Sequence, residues 1–401
     1  MPNLIKIVVA GDVDSGKSTL IGRYLYESGS LNQGAVEDVK QVCKNLERNF
    51  EFAYLLDSFE EEREKELTID TTQCFCKTDN HNSMVFIDVP GHQELLKNML
   101  SGASYADIAI LTIDINKSVK DQTKRHTFLL KFLGITQIIT VINKMDLRDF
   151  SEADFLETKK QVAQVFKKLH LEFNACLPVS AGLGDNLFKP SEKMPWYRGK
   201  SLRATLNGIK IKKNSGDFRF LIQDSYKNNG KSIAAGIVTS GSIKINQKVF
   251  ILPEQKTDQV KTIKYSDKNI RSASGPLAIG IILKKTNYLK RGQILCSNQL
   301  PQITKTIRGK IICTRPINLN TPLNFHCAVQ KTKVTIDRID QIWDTVNLLP
   351  KSGPLKENDL AQVVLKTAGK VAIESYDHLN SLGKFVLVDN CQRIAAIGTV
   401  L

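Results

Sequence analysis

Leu4-Ile5-Lys6-Ile7-Val8-Val9-Ala10 runs directly into Gly11-Asp12-Val13-Asp14-Ser15-Gly16-Lys17-Ser18-Thr19. The first stretch reads as a buried strand, and the second has the spacing G-x-x-x-x-G-K-[ST] at a strand-to-helix junction. Successive backbone N–H groups of such a turn, with the positive end of the following helix, cradle triphosphate oxygens. Gly11 and Gly16 let the backbone wrap closely, Lys17 reaches the terminal phosphates, and Ser18 can ligate Mg²⁺. Asp14, Ser15 and Thr19 complete the candidate phosphate contacts. Alone, the loop specifies a nucleoside triphosphate and no more.

Working outward, residues up to about 198 alternate short apolar strands with helical stretches. The strand candidates are 4–10, 69–76, 84–88, 107–113, 137–142 and 175–180; the helix candidates are 16–28, 36–50, 92–102, 120–133, 150–169 and 201–208. This alternation predicts a mostly parallel sheet covered by helices on both faces. After Asn214-Ser215-Gly216 the helical period disappears, and short alternating runs separated by Gly, Asn, Lys and Pro continue to the end. The expected architecture is an α/β P-loop domain (1–214) followed by two antiparallel β-barrel domains, 215–301 and 302–401. A chain of 401 residues has room for such a division.

Four further segments stand at strand ends in a fixed order. Leu67-Thr68-Ile69-Asp70 offers a threonine that can ligate Mg²⁺ and sense the γ-phosphate. Asp88-Val89-Pro90-Gly91-His92 follows a strand: Asp88 would hold Mg²⁺ through water, the Gly91 N–H would meet the γ-phosphate, and His92 sits where a group must orient the attacking water. Asn143-Lys144-Met145-Asp146 supplies a carboxylate that accepts two N–H bonds from guanine, a donor pair adenine lacks. Ser180-Ala181 ends the last strand, where its backbone can contact the base carbonyl. Taken singly, Thr68 or Asp88 reads as a turn residue and His92 as a surface or capping histidine. Their common order points to GTP and Mg²⁺. The other histidines, at 81, 126, 170, 326 and 378, have no metal-ligand spacing and read as structural.

The motif Asp88-x-Pro-Gly-His92, followed by Lys97-Asn98-Met99-Leu100-Ser101-Gly102-Ala103, resembles the translation-factor class of GTPases. The long stretch 20–66, Gly184-Asp185-Asn186 and Met194-Pro195-Trp196-Tyr197-x-Gly199 are similar to the elongation factor 1 alpha branch. Within it, Asp121-Gln122-Thr123-Lys124-Arg125-His126, the run from Asn143 to Glu152, Ile251-Leu252-Pro253 and Gly383-Lys-Phe-Val-Leu-Val-Asp389 resemble the GTPase subunits of bacterial sulfate adenylyltransferase. The resemblance implies that Val13 and Leu67 gate His92. It also implies a GTPase that drives ATP + sulfate → adenylyl sulfate + pyrophosphate on a partner, an ATP-pyrophosphatase-type small subunit. The chain has no S-G-G-x-D-S loop, no H-x-x-H site and no second phosphate loop, so the adenylyl chemistry is expected on another chain.

Two alternatives stay open beside this reading. A translation-type GTPase acting on ribosome or tRNA is one, and a binding module without turnover is the other. Charge bears on the first: residues 1–200 carry 25 Lys+Arg against 28 Asp+Glu, and residues 201–401 carry 31 against 13. The lysines are spread singly among β-type residues, the pattern of a solvated surface, and nucleic acid is the second choice of partner. The eight cysteines form no C-x-x-C pair and are expected as reduced, mostly buried thiols. No apolar run has the length of a membrane span, and the chain enters a strand at once, so a cytoplasmic location is expected. Two departures from the family pattern stand out. Lys65-Glu66 replaces the usual x-Gly before the switch, and Asp12 takes a position usually held by His or Ser and is expected to point outward to solvent.

Overall fold

The computed structural model describes residues 4–31, 33–45, 51–56, 73–77, 83–88, 106–117, 119–209, 216–228, 231–285, 289–319, 321–345, 349–376 and 380–401. The chain divides into two compact units, Met1–Ile211 and Lys212–Leu401.

In the first unit the strands are β1 (Leu4–Gly11), β2 (Gln73–Lys77), β3 (Ser83–Asp88), β4 (Ile108–Asp114), β5 (Ile138–Asn143) and β6 (Ala175–Pro178), in the sheet order β2-β3-β1-β4-β5-β6. All neighbours run parallel except β2, which pairs antiparallel with β3 at the sheet edge. The helices are α1 (Lys17–Glu27), α2 (Gln33–Asn45), α3 (Asp121–Phe132), α4 (Glu152–Lys168) and α5 (Leu202–Asn207). Strand alternation splits the apolar side chains between the two faces. Ile5, Ile7, Val9, Ile139 and Val141 pack with Leu20, Ile21, Tyr24 and Leu25 of α1, whereas Ile142 packs with Phe155 of α4. Every residue of β4 is buried, as a central parallel strand covered on both faces requires. The carboxyl ends of β1, β3, β5 and β6 therefore open on one edge, where a doubly wound sheet binds its ligand.

The second unit contains two closed barrels. The strands of the first are β7 (Arg219–Asn228), β8 (Lys231–Ser240), β9 (Ser242–Lys244), β10 (Lys248–Leu252), β11 (Lys256–Tyr265), β12 (Lys268–Ile270), β13 (Ser272–Ser274), β14 (Leu277–Leu283) and β15 (Ile294–Cys296). A six-strand ring, β10-β15-β7-β8-β14-β11, closes through a β10–β11 pairing. The second barrel uses β16 (Gln302–Cys313), β17 (Leu323–Cys327), β18 (Gln330–Asp344), β19 (Pro350–Lys351), β20 (Asp359–Ile373), β21 (Lys384–Val388) and β22 (Ile394–Val400). Its ring is β17-β21-β22-β16-β20-β18, closed by β17–β18.

The two-residue period also builds the seam between the barrels. Phe220 and Ile222 point into the first barrel, while Leu221 between them joins Leu252, Ile294, Cys296, Ala372 and Leu382 in a separate apolar cluster drawn from both barrels. Beside this cluster lies the Arg219–Glu374 ion pair, at 2.7 Å and only 1% and 9% exposed. Arg219 also donates to the carbonyls of Phe218, Ser297 and Gln299, so its buried charge is fully hydrogen-bonded. Removing one partner of such a pair leaves the other charged and dry. Glu374→Ala should therefore lower the stability of the barrel unit by about 3–5 kcal/mol. Urea unfolding of the full chain measures this, and replacing both residues by apolar ones should cost less than the single change.

Candidate nucleotide site

β1 delivers the chain to Gly11, and the loop then turns through Asp14, at φ +61°, and Gly16, at φ +83°, before α1 begins at Lys17. No side chain caps α1, so its first N–H groups face the loop without an internal partner. A Cβ on Gly16 would sit 2.3 Å from Asn143 Nδ2, so glycine is required there by both conformation and room. Lys17 is buried and turns its ammonium back onto the carbonyls of Gly11 (3.0 Å) and Asp12 (2.9 Å). Burial pushes its pKa down, and the charges of Asp88, Asp12 and Asp14 pull against that shift.

The Ser18 hydroxyl donates to Asp88 Oδ2 at 2.9 Å, bringing together two oxygen donors from sequence-distant motifs. A hydroxyl and a carboxylate this close suit a hard divalent cation such as Mg²⁺, which keeps most of its water and needs few protein ligands. Among the described residues no group of three or more His, Cys, Asp or Glu side chains could hold a metal by itself. Leu67, Thr68, Gly91 and His92 lie outside the described residues. Val13 is half-buried, and its carbonyl accepts a bond from Lys117 Nζ at 3.1 Å.

The residues expected on the base side converge through Asn143. Its Nδ2 donates to the Ser15 carbonyl at 2.9 Å, and its Oδ1 accepts from the Ala181 N–H at 2.9 Å. Ser180 Oγ donates to Asp146 Oδ1, fixing one oxygen of that carboxylate. Lys144, at φ +65°, reaches back to Asp114 Oδ2 at 2.9 Å, and Lys117 lies 3.5 Å from Asp14 Oδ2. Sequence reasoning missed Asp114 and Lys117. Asp114 left a signal, a carboxylate closing an otherwise apolar strand; Lys117 left none.

Asp12 corrects an expectation. Its side chain turns inward, only 17% exposed, with Oδ1 lying 4.0 Å from Nδ1 of His126, itself 1% exposed. Asp12 Oδ1 and both ring nitrogens of His126 have no hydrogen-bond partner. The reason is placement: α3 carries His126 beneath the phosphate loop, beside Lys17, Lys117 and Lys120, whose charges favour an inward carboxylate. Burial nevertheless raises the Asp12 pKa against those lysines. His126, expected to be structural, is buried against this loop.

Residues 2–284 match the family model described as the elongation factor Tu GTP binding domain, and residues 309–401 match a GTP-eEF1A C-terminal domain-like model. The chain belongs to the elongation factor Tu-type GTPase family. Within this family it is 33% identical to sulfate adenylyltransferase subunit 1 of Bacteroides fragilis, over 100% of this chain and 86% of that protein. The same subunit of Aliarcobacter butzleri is 33% identical over 96% of this chain and 84% of the relative. Elongation factor 1-alpha of Picrophilus torridus is 32% identical, over 98% and 96%. The chain carries a P-loop domain and two antiparallel barrels. None of its described helices is long and apolar enough to cross a membrane.

The histidine beneath the loop gives a pH signature. Burial first, then the charges of Lys17 and Arg125, hold His126 down to about 3 from an ordinary 6.5. Between those values the unfolded chain binds a proton that the folded chain refuses, so this residue's contribution to stability is lost as pH falls from 6.5 toward 3. The raised pKa of Asp12 acts in the opposite sense, taking up a proton earlier in the folded state. Urea midpoints measured across this range should fall less steeply for His126→Gln than for the parent chain.

Proposed function

We propose that this chain is the GTP-hydrolysing subunit of a sulfate adenylyltransferase. GTP hydrolysis here would drive ATP + sulfate → adenylyl sulfate + pyrophosphate on an ATP-pyrophosphatase-type small subunit in the cytoplasm. The similarity to sulfate adenylyltransferase subunit 1 over the whole chain carries this reading. The boundaries we assign are 1–214 for the GTP-binding domain, 215–301 for the first barrel and 302–401 for the second.

In this reading the loop N–H groups and Lys17 bind the phosphates, which draws the ammonium off the Gly11 and Asp12 carbonyls. Ser18, Asp88 and Thr68 would hold Mg²⁺, which supplies charge neutralisation to the phosphates when bound. Gly91 donates its N–H to the γ-phosphate, and His92, gated by Val13 and Leu67, orients the attacking water. Asp146 accepts both guanine donors with the help of the Ser180 hydroxyl, and the Ala181 backbone meets the base carbonyl. Asn143 and Lys144 hold these groups in place.

A translation-type GTPase is the second reading, favoured by 32% identity to elongation factor 1-alpha and by the 31 Lys+Arg against 13 Asp+Glu of residues 201–401. One experiment separates the two. With an ATP-pyrophosphatase-type small subunit added, the chain should raise adenylyl sulfate formation only when GTP is present, and His92→Ala should cut the stimulated rate by about tenfold or more. Equal formation without GTP would end the coupling proposal; salt-sensitive, GTP-dependent binding to tRNA or ribosomes would favour the second reading. For the base, Asp146→Asn should weaken GTP and admit xanthosine triphosphate, because the amide now offers the donor that xanthine's second carbonyl needs. Competition binding reads the change directly.

A further inference from the structure

Arg23 lies on α1, outside all five nucleotide motifs, yet its guanidinium is committed to the turn that directly follows one of them. Nη1 donates to the Gly182 carbonyl at 2.7 Å and Nη2 to the Leu183 carbonyl at 3.2 Å, across 159 and 160 residues of sequence. Nε donates to Glu27 Oε1 at 2.6 Å, one helical turn further on. The Phe52 ring lies over the guanidinium carbon, 4.5 Å from it to the ring centroid. Gly182 and Leu183 follow directly on Ser180-Ala181, the base-contacting pair.

The loop they belong to is small and tightly bonded. Leu183 N–H donates to Ser180 Oγ at 3.3 Å, and Gly184 N–H donates to the Ser180 carbonyl at 2.7 Å. Gly184 stands at φ +89°, where a Cβ would come within 2.5 Å of Arg23 Nη2 and 2.9 Å of Glu27 Oε1. The backbone thus passes close over the Arg–Glu pair, in a conformation that favours glycine. Two successive carbonyls suit a rigid planar fork, which an ammonium on a flexible stem cannot reproduce.

We infer that Arg23 is a positioning residue for guanine recognition: it clamps the Gly182–Leu183 carbonyls to α1 and so holds Ser180 against Asp146. The chain of contacts is continuous. Arg23 fixes the turn, the turn fixes the Ser180 hydroxyl, and that hydroxyl fixes one oxygen of the carboxylate proposed to read the base. The helix that begins in the phosphate cradle and the loop that closes on the base become one body. Without the clamp the two carbonyls turn to water, and Asp146 loses its orientation while the phosphate contacts remain.

This inference rests on the base-site reading proposed above, and its test keeps the two apart. GDP and IDP share their phosphates, but hypoxanthine lacks the 2-amino donor. Equilibrium binding of both to the full chain should show Arg23→Met lowering the GDP-over-IDP preference by about tenfold, mostly through GDP. Arg23→Lys should recover only part of the preference, since one ammonium cannot span both carbonyls. A merely structural arginine would lower the melting temperature and leave the ratio unchanged. A folded Arg23→Met chain with the parent's preference would overturn the inference. Should that variant not fold, an Arg23→Lys chain with the full preference would overturn it equally, and a reduced one would support it. A parent chain that binds GDP and IDP alike would instead remove the base-site reading, and this inference with it.

Discussion

Asn143 uses both halves of one carboxamide on the backbones of two other loops. Its amide nitrogen holds the loop after β1 at Ser15 and its oxygen holds the loop after β6 at Ala181. The residue is buried, so each bond is made in a setting where an unpaired polar atom is costly. The approach is so close that residue 16 has to be glycine. Most of the nucleotide site follows from this one side chain, because three loops from three strands share it. Deleting the carboxamide would free the edges of two loops at once, and losses of that kind do not add as independent contacts do.

Much of this was legible in the sequence because it depends on short-range pattern. The alternation of apolar strands with helices, the switch to two-residue periodicity after residue 216, and motifs placed at strand ends all give local signals. The strands of the parallel sheet and the helices α1, α3, α4 and α5 lie within a few residues of their expected bounds. Two other features depend on long-range contact and left no such trace. The Arg219–Glu374 pair joins residues 155 apart, and an arginine opening a strand looks like any solvated end. Asp12 looked like a surface residue because its inward direction is set by α3, more than a hundred positions away. The same holds for Arg23, whose partners are backbone carbonyls and carry no residue-type signal.

The two units solve the problem of strand edges differently. Each barrel closes its ring and leaves no free edge within it, while the sheet of the first unit stays open. An open sheet has carboxyl ends that are reachable from solvent, and a closed barrel keeps its shape without a ligand. The first arrangement suits a site that must admit and release nucleotide. The second suits a unit whose internal seam, with its buried ion pair, is meant to stay fixed.

The uncapped start of α1 has a thermodynamic consequence. A helix N-terminus that lacks a capping side chain leaves part of its hydrogen bonding to be completed from outside. Anything anionic that completes it binds the folded chain and not the unfolded one, so folding and occupancy are linked by mass action. The first unit's resistance to unfolding is then a property of the chain together with the concentration of free guanine nucleotide around it. Protein stripped of nucleotide during purification would be weaker than the same protein in a cell, with no change in sequence or fold.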